Sequence, residues 1–165
     1  MADSNISILR TLKLEDSKLA GKVTTDTGGL TKWGISQKAF PKLDIANLTI
    51  DDAKKIYKAS YWDKMFLDKI KNQTLADAIY DFAVNAGISK AIKTAQKACS
   101  LVGKYTKDDG KMGPQTLKTL NSVIPKDWIK MFVYLRIKFY THLAEKPEYK
   151  IYLKGWTARA NSFLE

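Results

Sequence analysis

The spacing of apolar and polar residues predicts a chain that is mostly helical. Ile8 and Leu12 are four residues apart and Glu15 follows three later, so all three lie on one arc of a predicted helix over residues 5–15. Further helices are predicted over residues 49–66, 72–87, 89–98 and 126–145, with a shorter one after Pro114. Residues 155–163 close the chain, with Trp156 and Arg159 on one side. The apolar positions of the helix over residues 72–87 spread most widely, so we expect that helix to be the central buried one.

Local signals set the ends of these helices. Thr49 precedes Asp52 by three residues, which is an N-terminal capping pattern, and Ser89 occupies a similar capping position. Gly87 is placed to end the helix over residues 72–87. Pro114 suits the first turn of a short helix.

Between the first helix and residue 38 the pattern favours β-structure. Two runs over residues 22–25 and 30–35 flank Asp26-Thr27-Gly28-Gly29, and paired glycines permit the positive φ angles of a tight turn. We predict a hairpin in which Asp26 and Thr31 lie on adjoining pieces of a small sheet, facing the end of the first helix. Glu15, Asp26 and Thr31 would then share a pocket.

These three residues suit acid-assisted chemistry. If Glu15 points toward the core, the loss of hydration of its charged form raises its pKa, as a general acid requires. Taken alone, a helical glutamate is more often a surface residue, so the hypothesis depends on the neighbouring hairpin. Asp26 would be the base or electrostatic partner, and the Thr31 hydroxyl would hold a water.

Glu15 followed by Asp-x-Gly-Gly-x-Thr-x-x-Gly-Ile-Ser over residues 26–36 resembles the N-terminal motif of the family 108 glycoside hydrolases, which are phage and bacterial N-acetylmuramidases. The resemblance covers nearly the whole chain. It continues through Tyr61-Trp62-Asp63, the segment from Asp81 to Gly87, the segment from Asp109 to Thr116, and Gly155-Trp156-x-x-Arg159. Two departures occur: Asp16 and Ser17 stand where the family usually has two glycines, and the loop before Asp26 is about two residues longer than the pattern.

The resemblance implies a lysozyme-like α+β fold, predominantly helical, in a single domain over residues 1–165. Residues 1–82 would be its catalytic portion and residues 83–165 a helical portion resembling a peptidoglycan-binding region. It implies that Glu15 is the catalytic acid of an endolysin that hydrolyses the β-1,4 bond between N-acetylmuramic acid and N-acetylglucosamine. A lytic transglycosylase using the same glutamate, or a non-catalytic wall-binding module, are the alternatives.

Three further residues are candidates for substrate binding. Tyr61 and Trp62 end the helix that begins near residue 49, where aromatic rings could stack on pyranose faces, although core packing explains either one equally well. Asn85 lies four residues after Asp81 in an apolar helix. Buried polar groups need partners, so these two side chains brace the catalytic loop or touch the substrate.

Composition restricts the partners. The 28 Lys and Arg outweigh the 17 Asp and Glu to give a net charge of +11, which favours accumulation at an anionic cell-wall surface. The basic residues form no dense run, so no nucleic acid partner is expected. Nothing resembles a signal peptide or a membrane span, so we expect a protein made in the host cytoplasm without stable membrane insertion. We also expect the protein to be a monomer. It would reach the wall through another protein.

No cofactor is expected. Cys99 is the only cysteine, so no intrachain disulfide can form. The single histidine, His142, has no supporting cluster for a metal, and there is no phosphate-binding glycine loop or nucleophile elbow. Acid-assisted glycoside hydrolysis needs none of these. Two carboxyl groups ~5 Å apart would indicate a retaining mechanism, and ~6.5 to 9.5 Å an inverting one.

Overall fold

The computed structural model describes residues 1–26 and 29–165, so Thr27 and Gly28, the centre of the expected hairpin turn, lie outside the described residues. Helices predominate, and a small three-stranded antiparallel sheet with the order β1-β2-β3 accompanies them. The expected α+β class is therefore confirmed. Contacts divide the chain into two compact units, an N-terminal unit of residues 3–64 and a C-terminal unit of residues 65–165 with residues 1–2.

The N-terminal unit begins with α1, Ser4–Glu15. The carboxylate of Asp3 caps this helix by accepting a hydrogen bond from the backbone N–H of Asn5 at 2.8 Å. Ile8 and Leu12 are buried, as their four-residue spacing predicts. Burial of these two side chains fixes which face of α1 packs, and therefore where its C-terminal residue lies.

The sheet consists of β1, Val23–Asp26, β2, Gly29–Lys32, and β3, Ile35–Ser36. Thr24 pairs with Thr31, and Lys32 pairs with Ile35. The predicted single strand over residues 30–35 is wrong, because the chain turns at Trp33 and Gly34, which have φ angles of 48° and 76°. Two successive positive φ angles in a two-residue hairpin loop are the geometry of a type I′ turn.

The next helix, α2, spans Ile50–Tyr57. Its predicted capping box is present, with Thr49 and Asp52 each bonding the other's backbone N–H. The α-helix was expected to continue to residue 66, but it passes instead into a π-helical segment, Lys58–Trp62, and then into short 3₁₀ turns at Asp63–Met65 and Leu67–Lys69.

The C-terminal unit is built around α3, Gln73–Ala86, in which nine consecutive residues from Leu75 to Ala83 are buried. This confirms the prediction of a central helix ended by Gly87, whose φ is 90°. The remaining helices are α4, Ile88–Leu101, α5, Pro114–Leu120, α6, Pro125–Leu143, α7, Pro147–Lys150, and α8, Leu153–Asn161. Ser89 is not the cap of α4, since Gly87 already occupies that position.

A buried ionic network holds three of these helices together. Asp81 of α3 accepts from Arg159 Nε at 2.9 Å and from Arg159 Nη2 at 2.7 Å, and Arg136 Nη2 lies 2.6 Å from its other oxygen. Arg136 Nε also donates to the Tyr140 hydroxyl at 2.9 Å, and that hydroxyl donates to Asn85 Oδ1 at 2.7 Å. These contacts fix α6 and α8 against α3.

The sequence suggested a boundary between residues 82 and 83 inside a single domain. That division remains a prediction. The compact units divide the chain between residues 64 and 65, so the whole of α3 belongs to the C-terminal unit. No helix in residues 1–26 and 29–165 combines the length and the apolar character needed to cross a membrane.

Candidate active site

The end of α1, the loop that follows it and the small sheet enclose a cleft of about 310 Å³ in the N-terminal unit. Its walls are mostly polar, and they bring two of the three predicted catalytic residues, Glu15 and Thr31, into one space. The lining residues are Glu15, Asp16, Ser17, Lys22, Thr24, Thr31, Trp33 and Gly34.

Glu15 is the last residue of α1, and the helix ends there because the Asp16 N–H makes the final helical bond, to Leu12 O at 2.8 Å. Glu15 is exposed. The expectation that it is buried with Ile8 and Leu12 is therefore wrong. One turn beyond Leu12 the helix has left the core and reached the cleft, so the carboxyl group is open to a ligand rather than held in an apolar environment.

Gly34 provides the surface against which the Glu15 side chain rests. Its φ is +76°, and a Cβ added there would lie 3.2 Å from both Cγ and Cδ of Glu15 and 2.6 Å from the Tyr57 hydroxyl. That hydroxyl donates to the Trp33 carbonyl oxygen at 2.9 Å. Tyr57 thus fixes the turn, and the absence of a side chain at Gly34 lets Glu15 pack against the backbone.

Among the described residues, two polar atoms in the cleft wall have no hydrogen-bond partner. Thr31 Oγ1 and Trp33 Nε1 are both inaccessible to solvent, and neither forms a hydrogen bond within the part of the chain that the structure describes. A buried polar group without a partner costs about 1–3 kcal/mol. A water or a substrate group that reached either atom would recover that free energy, and because both atoms are closed to solvent here, such a contact requires the cleft wall to move.

Asp16 organises the loop that forms the cleft's other side. Its carboxylate accepts from the backbone N–H groups of Gly21 at 2.7 Å, Lys18 at 3.2 Å and Lys22 at 3.3 Å. Desolvation raises the pKa of this carboxyl group, but the backbone donors led by Lys22 and Gly21 outweigh it and hold the pKa below its ordinary value. The departure from the family's glycine at this position therefore places an ionised, loop-closing side chain beside Glu15.

Gly21 shows why this loop lies close to the sheet. Its φ is +67°, and a Cβ there would lie 2.8 Å from both Lys32 Cε and Trp33 Cζ2. The Lys32 ammonium in turn lies 5.0 Å from the centroid of the Trp33 ring. The indole is therefore held between the loop and Lys32 in the wall of the cleft.

The second predicted carboxylate is not placed by the structure. Asp26 is the last residue of β1, and its backbone pairs with Gly29. Its side chain lies outside the described part of the molecule, as do Thr27 and Gly28. Its assignment as a catalytic residue remains a prediction.

The three predicted substrate-binding residues differ in how exposed their side chains are and in which unit they lie. Trp62 is only 1% exposed, so its ring has no free face for a sugar, and its expected role in a subsite is wrong. Tyr61 is partly exposed and stacks on Tyr57, with ring centroids 6.1 Å apart. Asn85 belongs to the C-terminal unit, where its side-chain oxygen accepts a hydrogen bond from the Tyr140 hydroxyl, and its role in substrate binding remains a prediction.

The sequence did not identify Trp33, Gly34 or Asp16 as parts of the site. A Trp-Gly pair between two β-leaning segments is a turn signal only if the tryptophan accepts a left-handed conformation, which is rare for bulky residues. At Asp16 the sequence showed only a departure from the glycine that the family usually has at that position. In the described ranges, residues 1–26 and 29–165, no group of three His, Cys, Asp or Glu side chains could hold a metal ion.

Comparison with known proteins agrees with this geometry. Residues 14–87 match the family model described as Glycosyl hydrolase 108, and residues 90–161 match the model described as Predicted Peptidoglycan domain. The solved structure of Brucella abortus SagA matches with a TM-score of 0.70 and 21% sequence identity over 98% of this chain and 95% of that one. No curated protein matches the sequence. The fold is lysozyme-like, and the chain carries a glycosyl hydrolase 108 region over residues 14–87, followed by a predicted peptidoglycan domain over residues 90–161.

Proposed function

We propose that this peptidoglycan-acting glycosidase is an N-acetylmuramidase, which hydrolyses the β-1,4 bond between N-acetylmuramic acid and N-acetylglucosamine. The observation that carries the proposal is the position of Glu15, at the end of α1 in the wall of a polar cleft and packed against the bare backbone of Gly34. A carboxyl group fixed in this way can give its proton to a glycosidic oxygen as the bond lengthens.

The remaining steps belong to the sheet side of the cleft. Thr31, with a hydroxyl that has no partner among the described residues, is suited to hold the attacking water. Asp26 would either activate that water or stabilise the positive charge that develops on the sugar. Tyr61 remains a candidate for contact with the glycan, because part of its surface is open.

The substrate proposal also draws on the C-terminal half of the chain. Its match to a peptidoglycan domain supports a role in holding wall glycan strands, and the net charge of +11 supports attraction to an anionic wall. We propose that the protein acts as a monomeric endolysin on the wall after another protein has released it from the cytoplasm. Neither a nucleic acid partner nor membrane insertion is part of this proposal.

Glu15→Gln tests the assignment, because it keeps the size of the side chain and removes the acid. We expect the variant to fold normally and to clear suspensions of bacterial walls ~10²- to 10⁴-fold more slowly than the parent, the usual contribution of a general acid. Glu165→Gln, the same change at another exposed glutamate of the C-terminal unit, should retain parent activity.

The products decide the reaction. Mass spectrometry of the digested wall should show reducing ends at N-acetylmuramic acid. Anhydro-sugar ends would instead identify a lytic transglycosylase. If Glu15→Gln lysed walls at close to the parent rate, Glu15 would not be the catalytic acid.

A further inference from the structure

An aromatic stack in the C-terminal unit ends at the surface. Tyr152 stacks on Trp156, with ring centroids 5.5 Å apart and ring planes 27° apart, and Trp156 stacks in turn on Tyr140 at 5.1 Å and 25°. Tyr149 also lies beside Trp156, at 6.3 Å. Tyr140 is buried, whereas Tyr152 is 51% exposed. We call Tyr149, Tyr152 and Trp156 the aromatic platform.

The platform is held rigidly from below. Trp156 and Arg159 lie on the same helix, α8, and Arg159 forms a two-pronged hydrogen bond with the buried Asp81. Tyr140, directly beneath Trp156, is fixed by hydrogen bonds with Arg136 and Asn85. Rings that are already fixed lose little conformational freedom on binding, so such a platform is suited to a ligand with flat apolar faces.

The surroundings of the platform favour an acidic ligand. Lys146, Lys150 and Lys154 are all exposed and recur every four residues through this segment. Two glutamates, Glu145 and Glu148, also lie in this segment, and Glu145 is 3.2 Å from His142 Nδ1. The lysines therefore outnumber the acids. A partner with flat sugar faces and carboxylates would match both the rings and the lysines.

We propose that the aromatic platform is a binding site for the glycan strands of peptidoglycan, in which a pyranose face stacks on Tyr152 and the carboxylates carried by N-acetylmuramic acid face the lysines. The proposal rests on the proposed function, because it takes the same polymer as the ligand. It adds a second contact with that polymer, made in the C-terminal unit and built from residues other than those of the cleft.

Binding to insoluble walls tests this directly. All proteins carry Glu15→Gln, so that cleavage does not remove the ligand, and the fraction that sediments with purified peptidoglycan gives an apparent Kd. Tyr152→Leu, which keeps apolar bulk but has no ring, should raise this Kd about 5- to 10-fold, as expected for the loss of an aromatic contact. Tyr152→Phe keeps the ring and should bind like the parent.

Tyr105→Ala is the matched control, because Tyr105 is 80% exposed, belongs to the same unit and lies outside the platform. It should leave the Kd unchanged. Equal binding by Tyr152→Leu and the parent would overturn the proposal, and so would a change in self-association, measured by light scattering, without a change in wall binding. Thermal unfolding followed by circular dichroism checks that each variant is folded.

The two proposals fail in different ways. If the active parent releases no reducing ends while Tyr152→Leu still weakens wall binding, the muramidase assignment fails and the platform stands. If the parent cleaves walls while the Tyr152 variants all bind alike, the platform fails and the muramidase assignment stands. Lys150→Gln gives a second readout, because it should weaken binding at low salt more than at high salt.

Discussion

At the scale of single residues, Gly34 determines how closely the proposed acid approaches the sheet. Gly34→Ala places a methyl group 2.6 Å from the hydroxyl of Tyr57, which is held by the Trp33 carbonyl, and 3.2 Å from the Glu15 side chain. The positive φ adds about 1–2 kcal/mol of backbone strain, and the contacts add about 1–3 kcal/mol. We expect a loss of about 2–5 kcal/mol in the free energy of unfolding, measured in urea, together with a loss of lytic activity.

Gly103→Ala separates these two causes. Gly103 has the same φ of +76°, but a Cβ there would meet nothing within 4 Å. Gly103→Ala should therefore lower the free energy of unfolding only by the backbone strain, about 1–2 kcal/mol, and leave the lytic activity unchanged. Equal effects of the two substitutions on activity would show that Gly34 does not position Glu15.

Thr31 gives a prediction in which stability and activity move apart. Thr31→Val keeps the shape of the side chain and removes a buried hydroxyl that has no partner in the described chain. We expect the protein to be equally stable or up to about 1 kcal/mol more stable. Activity should fall about 3- to 10-fold, equivalent to one neutral hydrogen bond to water or substrate. Urea unfolding and wall clearing measure the two effects.

Thr25→Val is the control for this change, because Thr25 is an exposed residue of β1 that does not line the cleft. Thr25→Val should alter neither the free energy of unfolding nor the rate of wall clearing. A Thr31→Val protein with full activity would remove the hydroxyl from the mechanism, whatever its stability.

The sequence predicted where Glu15 lies on α1, but it did not predict that its side chain is exposed. Spacing correctly placed it at the end of α1, on the side where Ile8 and Leu12 pack. The same spacing could not show where the core ends along the helix axis, because helical periodicity gives an angle around the axis and no depth. The surroundings of Glu15 are set by residues distant in sequence, such as Gly34, against which its side chain rests.

At the scale of elements, the ends of helices and the turns were predicted correctly where the residues that determine them are close together in the sequence. The capping box at Thr49 and the turn residue Gly87 act within a few neighbours, and both were predicted correctly. The turn at Trp33 and Gly34 was not, because a tryptophan in the left-handed region is stabilised by a hydrogen bond from Tyr57, 24 residues away. A pattern confined to short windows cannot contain that contact.

The ionic network that joins α3, α6 and α8 gives a prediction about pH. Burial raises the pKa of Asp81, but Arg136 and Arg159 outweigh it and hold the pKa below its ordinary value of 3.8. A lowered pKa in the folded state means that the ionised carboxylate contributes stability above pH 3.8, and that this contribution is lost as the pH falls through the lower folded value. Thermal unfolding between pH 7 and about 2 should show a steep acid-side loss.

Asp81→Asn should reduce this acid-side loss and lower stability at neutral pH by about 3–5 kcal/mol, because it leaves the buried Arg136 without a counter-charge. Asp108→Asn removes a carboxylate from an exposed pair with Lys97, so it should cost at most about 1 kcal/mol. An Asp81→Asn protein as stable as the parent would show that the network does not hold the three helices.

At the scale of the whole molecule, composition bears on the polymer that the chain approaches. The net charge of +11 acts over about a Debye length, so raising the salt from about 0.1 M to 1 M shortens its reach from about 10 Å to about 3 Å. The aromatic platform acts by contact and is screened far less. Charge should therefore govern how much protein gathers at the wall, and contact should govern what remains at high salt.

The Glu15→Gln protein should consequently sediment with anionic walls several-fold less at about 1 M than at about 0.1 M salt. With chitin, a glycan that carries no carboxylates, the bound fraction should be smaller at low salt and nearly independent of salt. Tyr152→Leu should then lower the salt-resistant fraction on walls, because that fraction depends on stacking rather than on charge. Wall binding that did not change between the two salt concentrations would show that the excess of lysine and arginine plays no part in attraction to the substrate.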